Sequence, residues 1–416
     1  MTVINNIEID HIEYHPNDIK DAVRNNAPLD DTLHVVMVVS NPCLFARRYI
    51  LAKEFMQRME REESRVALYT VELIYPGQRF LLTKSGHPRH LQLRAPVPLW
   101  HKENMVNQAF RRLLPPDWKA AAWIDADVEF DHPHWVNDTL CILNGTKDVV
   151  QLFSHCVDMG MRGEAMRVFN GWGFQYTKGL PYTINVDNYW HPGYAWACTR
   201  TAYEKMGGLF ELGILGSGDN LMAMSFLQKA SSVLNDRYDA DYVNAVLAFQ
   251  QRVRGLRIGY VPGVIRHYYH GTKANRRYGD RFKILIEHGY SPARHVTFDQ
   301  EGVLVPTDAF PSAMGTDIMS YFRERDEDDM YRSAVAGAGP TPPEFVVRGG
   351  LGAFFRELAN TDCVSVASQD DDATFPVPSA EFMSQVLGHI DVGARLCIVL
   401  YALVWAYFQS QMYYVH

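Results

Sequence analysis

The chain has 416 residues, 47% of them hydrophobic and 21% charged, with a formal net charge of -8. That length suits one large domain with appendages or two domains, and the balance is that of an ordinary globular protein. Net acidity argues against a general nucleic-acid binder, which needs a basic face to meet phosphates, and the six cysteines form no CxxC pair that would suit a zinc ribbon or a thioredoxin-like site. Their scatter suits free thiols in a reducing compartment.

In chain order, residues 1–30 are polar and read as an extension. They contain no apolar core segment, so neither a signal peptide nor an N-terminal anchor is expected, and the expected location is cytoplasmic. The first strand is predicted at His34 to Val39, stopped by Ser40-Asn41-Pro42, with a helix from about Leu44 to Glu60. A second strand is predicted at Val66 to Leu73, a helix from about Lys102 to Leu114, and a short strand at Ala120 to Ile124 running straight into Asp125. Strand, helix, strand, helix, strand is the pattern of a mainly parallel, Rossmann-like α/β sheet that binds ligands at the carboxyl ends of its strands. Neither GxGxxG nor GxxxxGK[ST] stands where a strand meets its helix, which argues against a dinucleotide-binding dehydrogenase and a Walker-type NTPase.

Beyond about residue 300 the α/β signal fades, and Ala334 to Pro343 has a linker composition. The expected division is an extension over 1–30, a catalytic domain over 31–330 and an accessory segment over 331–416. Leu396 to Phe408 is continuously apolar but shorter than the roughly 20 residues of a spanning helix. It reads as a buried or partner-facing helix, with weak membrane association as the other reading.

Three stretches carry chemistry. In Trp123-Ile-Asp-Ala-Asp-Val-Glu129, two acids two residues apart follow an apolar strand. Such carboxylates suit a hard divalent cation that bridges phosphate oxygens; the alternative is a pair of solvated loop acids. Next come Tyr189 to Ala197, Met206 to Phe210 and Leu215 to Asn220, where glycines interleave with aromatics. Aromatic faces pack on sugar rings and glycines admit close backbone approach; the alternative is a glycine-rich core turn. Asp219 opens a helical run as either a helix cap or a general base. The third stretch is Val264 to Gly271, with His267 and His270 three apart, followed by Lys273, Arg276, Arg277 and Arg281. Histidines there offer nitrogen ligands and the basic group suits a diphosphate; the alternative is a solvated basic loop.

The ordered set Glu103 to Phe110, Ile124-Asp-Ala-Asp127, Pro192 to Trp196, Gly207-Gly208, Gly216 to Asn220 and Val264 to His267 resembles the GT-A fold glycosyltransferases. In order and spacing it is similar to the Golgi β-galactosyltransferases and the polypeptide N-acetylgalactosaminyltransferases. It also resembles bacterial and viral proteins that carry WIDAD, HPGYAWA and HGxKxxRxY. The resemblance spans roughly residues 33–330. It implies a transferase that moves a sugar from a nucleotide-diphosphate donor, with UDP expected, to a carbohydrate or other hydroxyl acceptor, using Mn²⁺ or Mg²⁺.

By residue, the resemblance implies Asp127 as primary metal ligand, Asp125 at the metal or the ribose, and His267 as a further ligand. Val264 stands where the galactosyltransferases have a methionine ligand and cannot ligate, so His270 is expected to compensate. Asn41, Arg47 or Arg48, and Glu72 are expected at the nucleoside, and Lys273 and Arg277 at the phosphates. His191, Gly193, Trp196, Gly218 and Asn220 are expected around the sugar and acceptor. Asp219-Asn220 resembles the Glu-Asn of the retaining enzymes more than the Glu-Asp of the inverting ones; a free carboxylate still suits a general base, so inversion is the slightly favoured outcome. Two other readings stand beside this one: another metal-dependent nucleotide-using enzyme, such as a nucleotidyltransferase, and an inactive carbohydrate-binding relative.

Overall fold

The computed structural model describes residues 32–331 apart from 62, 184–189 and 235–236, and four short strands at Val3–Ile4, Ile7–Glu8, Cys363–Ser365 and Pro376–Pro378. The chain divides into two compact units, Met1–Gly337 and Ala338–His416. In the second, Cys363–Ser365 pairs antiparallel with Pro376–Pro378. The linker at Ala334 to Pro343 and the apolar run at Leu396 to Phe408 lie outside the described residues. Among the described residues, no helix is long and apolar enough to cross a membrane.

The first unit is built on β1 (Leu33–Ser40), α1 (Ala46–Arg61), β2 (Val66–Ile74), β3 (His90–Arg94), α2 (Lys102–Arg112) and β4 (Ala120–Ile124). Then follow β5 (Val128–Phe130), α3 (Trp135–Leu143), β6 (Val149–Gln151), β7 (His155–Met159), β8 (Ala165–Gly171) and α4 (Trp172–Thr177). After these come β9 (Trp190–His191), β10 (Ala195–Thr199), α5 (Arg200–Met206), α6 (Gly218–Phe226), α7 (Ala240–Val253), β11 (Ile258–Tyr260), β12 (Val264–His267) and α8 (Ser312–Glu324).

Seven strands form the main sheet in the order β11-β6-β10-β4-β1-β2-β3. All neighbours are parallel except β10, which runs antiparallel to both β4 and β6. Near-continuous apolar strands such as β1 and β4 suit a sheet covered on both faces. Along β1, Val36 belongs to one apolar core, and Leu33, Val35, Met37 and Val39 belong to the other. This is the mixed, mainly parallel, helix-flanked sheet that the sequence and its resemblance imply.

A second sheet, β9-β8-β7-β12-β5, was not foreseen. Its strands are short and mix polarity, as in HCVDM and VIRH, so no period-2 alternation marks them. It positions the site in two ways. β5 follows the 125–127 turn and pairs antiparallel with β12, setting Val128 opposite His267. β7 pairs with β12 in parallel, setting Asp158 beside His267. The third stretch therefore begins on a strand rather than in a loop.

Candidate active site

Asp127 leaves the sheet in the turn between β4 and β5, where its carbonyl accepts from Tyr268 N at 2.8 Å. This fixes the end of β12 against it. His270 Nε2 lies 2.8 Å and His267 Nε2 3.8 Å from Asp127 Oδ2, and the two imidazole Nε2 atoms are 3.1 Å apart. One ligand-type atom from each of Asp127, His267 and His270 falls within a 4.8 Å cluster. Both histidines are buried. Burial alone would raise the Asp127 carboxyl, but the two imidazoles and Arg276 outweigh it and hold the group well below the usual carboxylate range. Burial pushes His267 down, against Asp127 and Asp158, which favour its charged form.

A divalent cation fits this group. Asp127 Oδ1 is buried with no hydrogen-bond partner, so one carboxylate oxygen is uncommitted. Two imidazoles and one carboxylate form a donor set suited to a divalent first-row transition-metal ion.

Asp125 does not join the cluster. Its backbone N–H donates to Tyr194 O at 2.8 Å, and its side chain pairs with Lys102 at the start of α2. Two acids at i and i+2 share a face only while the chain stays extended; here the strand ends at Ile124 and the turn separates them. Burial and Asp127 raise the Asp125 carboxyl, against the pull of Lys102. Lys102 is itself raised, because Asp125, Asp219 and Glu103 outweigh its burial.

Asp219 lines a small pocket of about 10 Å³ together with Lys102, Glu103, Tyr194, Trp196 and Gly218. It is not the cap of α6: Ser217 holds that position with φ 64°, and Asp219 lies in the first turn, where Oδ1 accepts from Asn220 N at 2.8 Å. Gly193 admits it, since a Cβ there would stand 2.7 Å from Asp219 Oδ2. Gly218 similarly admits Glu103, whose Oε1 would be 2.2 Å from a Cβ at that position. Burial pushes Glu103 up to about 7 despite Lys102. His191 stacks on Tyr194 with ring centroids 4.1 Å apart, and burial followed by the charges of His267 and Lys273 lowers it to about 3. Trp196 is a core residue whose Nε1 donates to Pro192 O at 2.8 Å.

Other expected ligand residues are held in internal bonds. Glu72 accepts from the backbone N–H groups of Leu81, Leu82 and Thr83 and from the Thr83 hydroxyl, closing the loop between β2 and β3. Asn41 closes a turn through Phe45, and Arg48 forms a bidentate pair with buried Glu327 at 2.6 and 2.8 Å. Lys273 pairs with Asp158. Arg277 pairs with Asp280 and Glu324 at 3.3 and 3.1 Å.

The stretch around His270 has acidic partners from three places: Asp158 on β7, the local Asp280, and Glu324, Glu327 and Asp329 at and after the end of α8. Tyr269 donates to Asp329 at 2.7 Å, and Glu327 lies 3.6 Å from His270 Nδ1. Arg276 donates to the His270 carbonyl at 3.0 Å, and the same guanidinium nitrogen lies 2.8 and 2.9 Å from Nδ1 and Nε2 of the His270 ring. Lys102, Glu103, Asp158 and Glu327 were all missed as site residues. The run Arg323 to Met330 read as the fading end of a domain, and Asp158 carries no local signal because only strand register brings it to His267.

No protein-family model matches the chain, and no curated protein matches it in sequence. Solved structures are similar at fold level. One is a mutant Drosophila β1,4-galactosyltransferase 7 with manganese, UDP-Gal and xylobiose: TM-score 0.33, 12% identity, covering 66% of this chain and 93% of that one. Another is the catalytic domain of Drosophila β1,4-galactosyltransferase 7 with xylobiose, at TM-score 0.31, 13% identity and the same coverages of 66% and 93%. A third is 4-diphosphocytidyl-2C-methyl-D-erythritol synthase from Anaerococcus prevotii, at TM-score 0.28 and 10% identity, covering 56% of this chain and 88% of that one. At such values the site has to be understood from its own residues.

Proposed function

We propose that this chain is a metal-dependent glycosyltransferase that takes a sugar from a nucleotide-diphosphate donor, UDP-linked by preference, and passes it to a carbohydrate hydroxyl. The observation that carries the reading is the buried group of Asp127, His267 and His270, linked through Tyr194, whose ring centroid is 4.5 Å from that of His267, to the small pocket lined by Asp219. A bound Mn²⁺ would neutralise charge developing on the diphosphate leaving group.

The chain's own residues do the rest. Asp127, His267 and His270 hold the cation. Asp125 and Lys102 are coupled electrostatically to Asp219, and Asp125 also to Asp127; in this reading they orient the donor's ribose and sugar. Asp219 accepts the proton of the attacking hydroxyl, a role that favours inversion. His191, Gly193, Gly218 and Asn220 shape the acceptor side. Arg276, whose guanidinium lies against the His270 ring, brings positive charge for the diphosphate next to the cation group.

A thermal-shift screen of nucleotide sugars with and without Mn²⁺ tests the reading. A UDP-sugar that raises the melting temperature only when Mn²⁺ is present is the expected result. Stabilisation by nucleoside triphosphates alone would replace it with a nucleotidyl-transfer reading.

A further inference from the structure

We propose that Asp158 is a positioning residue of the Asp127–His267–His270 centre, holding His267 in the tautomer protonated at Nδ1 so that its Nε2 lone pair is presented to a divalent cation. The inference rests on reading the cluster as a metal centre and adds a residue with no ligand role.

The geometry starts from strand register. β7 and β12 run parallel with Asp158 directly beside His267. Asp158 Oδ1 lies 2.8 Å from His267 Nδ1, and both residues are buried. A carboxylate only accepts hydrogen bonds, so Nδ1 must carry the proton. In a neutral imidazole the lone pair then sits on Nε2, the atom that faces Asp127 and His270. The second Asp158 oxygen is paired with Lys273, whose ammonium lies 4.5 Å from the centre of the Phe169 ring. Lys273 thereby balances the Asp158 charge and fixes the carboxylate on both sides. Ligating histidines are commonly held in this way by a carboxylate, and loss of such a partner costs about 10–100-fold in metal affinity.

The test uses the full chain as wild type, Asp158→Ala and Asp158→Asn. Mn²⁺ affinity is read by titration with electron paramagnetic resonance. The His267 tautomer is read in the metal-free protein from imidazole ¹⁵N–¹H correlation spectra assigned with His267→Gln. Thermal unfolding is followed in parallel.

Asp158→Ala is expected to weaken Mn²⁺ binding by about 10–100-fold and to mix the two His267 tautomers. Asp158→Asn keeps an acceptor oxygen and should retain the Nδ1–H tautomer with a smaller loss; it also serves if the alanine variant fails to fold. A residue that merely ties β7 to β12 would lower the melting temperature without changing the tautomer, and that result overturns the proposal. So does Mn²⁺ affinity in Asp158→Ala equal to that of wild type. A wild-type chain that binds no Mn²⁺ would sink the metal-centre reading, while the metal-free tautomer measurement would still decide what Asp158 does to His267.

Discussion

The imidazole of His270 sits 2.8 Å from the carboxylate of Asp127, on the oxygen next to the one that has no partner. This pairing places a buried acid and a buried imidazole in mutual support at the crossing of β12 and the 125–127 turn. It also distinguishes the centre from the acid pair that the sequence suggested, because Asp125 is turned to Lys102 instead.

Asp219→Asn should separate chemistry from binding. The amide oxygen can still accept from Asn220 N, so α6 keeps its local bond. Turnover, measured as release of nucleoside diphosphate in the presence of acceptor, should fall by about 10²–10⁴-fold as the general base is lost. Donor affinity should stay at the wild-type value. Normal turnover would assign Asp219 a structural role only.

Gly193→Ala should damage the same step without touching the carboxylate chemically. Its new Cβ would stand 2.7 Å from Asp219 Oδ2 and 2.9 Å from His191 Cε1. Both are side-chain ends that can yield, so the stability cost should be on the order of 1 kcal/mol. Asp219 must rotate away, so kcat should drop well beyond what the change in Tm accounts for. Unchanged kcat would show that Asp219 does not act from the position it holds beside Gly193.

Glu103 gives a pH signature in stability. Burial holds its carboxyl at about 7 in the folded chain, against an ordinary value of 4.5. The folded state therefore binds this proton more tightly than the unfolded one. The stability it supplies is fully present below pH 4.5 and is lost as pH rises through 7. Glu103→Gln removes that loss. Relative to wild type, the variant should gain about 3 kcal/mol between acid and neutral pH in denaturant unfolding. Parallel pH–stability curves would contradict the assignment.

Much of the main sheet was legible because its early strands are long and apolar. β1, β2 and β4 lie within a residue or so of their expected bounds, and α1 and α2 within about two. β3 went unread although His90–Arg94 alternates in polarity, because it spans only five residues between Pro88 and Pro96. The second sheet was illegible for a different reason: its strands are defined by pairing across distant segments, and that pairing brings Asp158 to His267. The histidine pair was legible as a ligand signal, since His267 and His270 lie three residues apart in one run. Their acidic neighbours were not. Glu327 and Asp329 follow α8, whose packing and not its composition returns them to the basic stretch. Asp125 was expected at the metal or the ribose; it lies outside the Asp127–His267–His270 group and pairs with Lys102.

The most direct measurement of the central claim is calorimetry of UDP binding to wild type and Asp127→Ala, each with Mn²⁺ and with EDTA. If Asp127, His267 and His270 hold the cation that recruits the diphosphate, wild type should bind UDP only with Mn²⁺, and Asp127→Ala should bind it in neither condition. Equal UDP affinity for both proteins, insensitive to EDTA, would contradict the account.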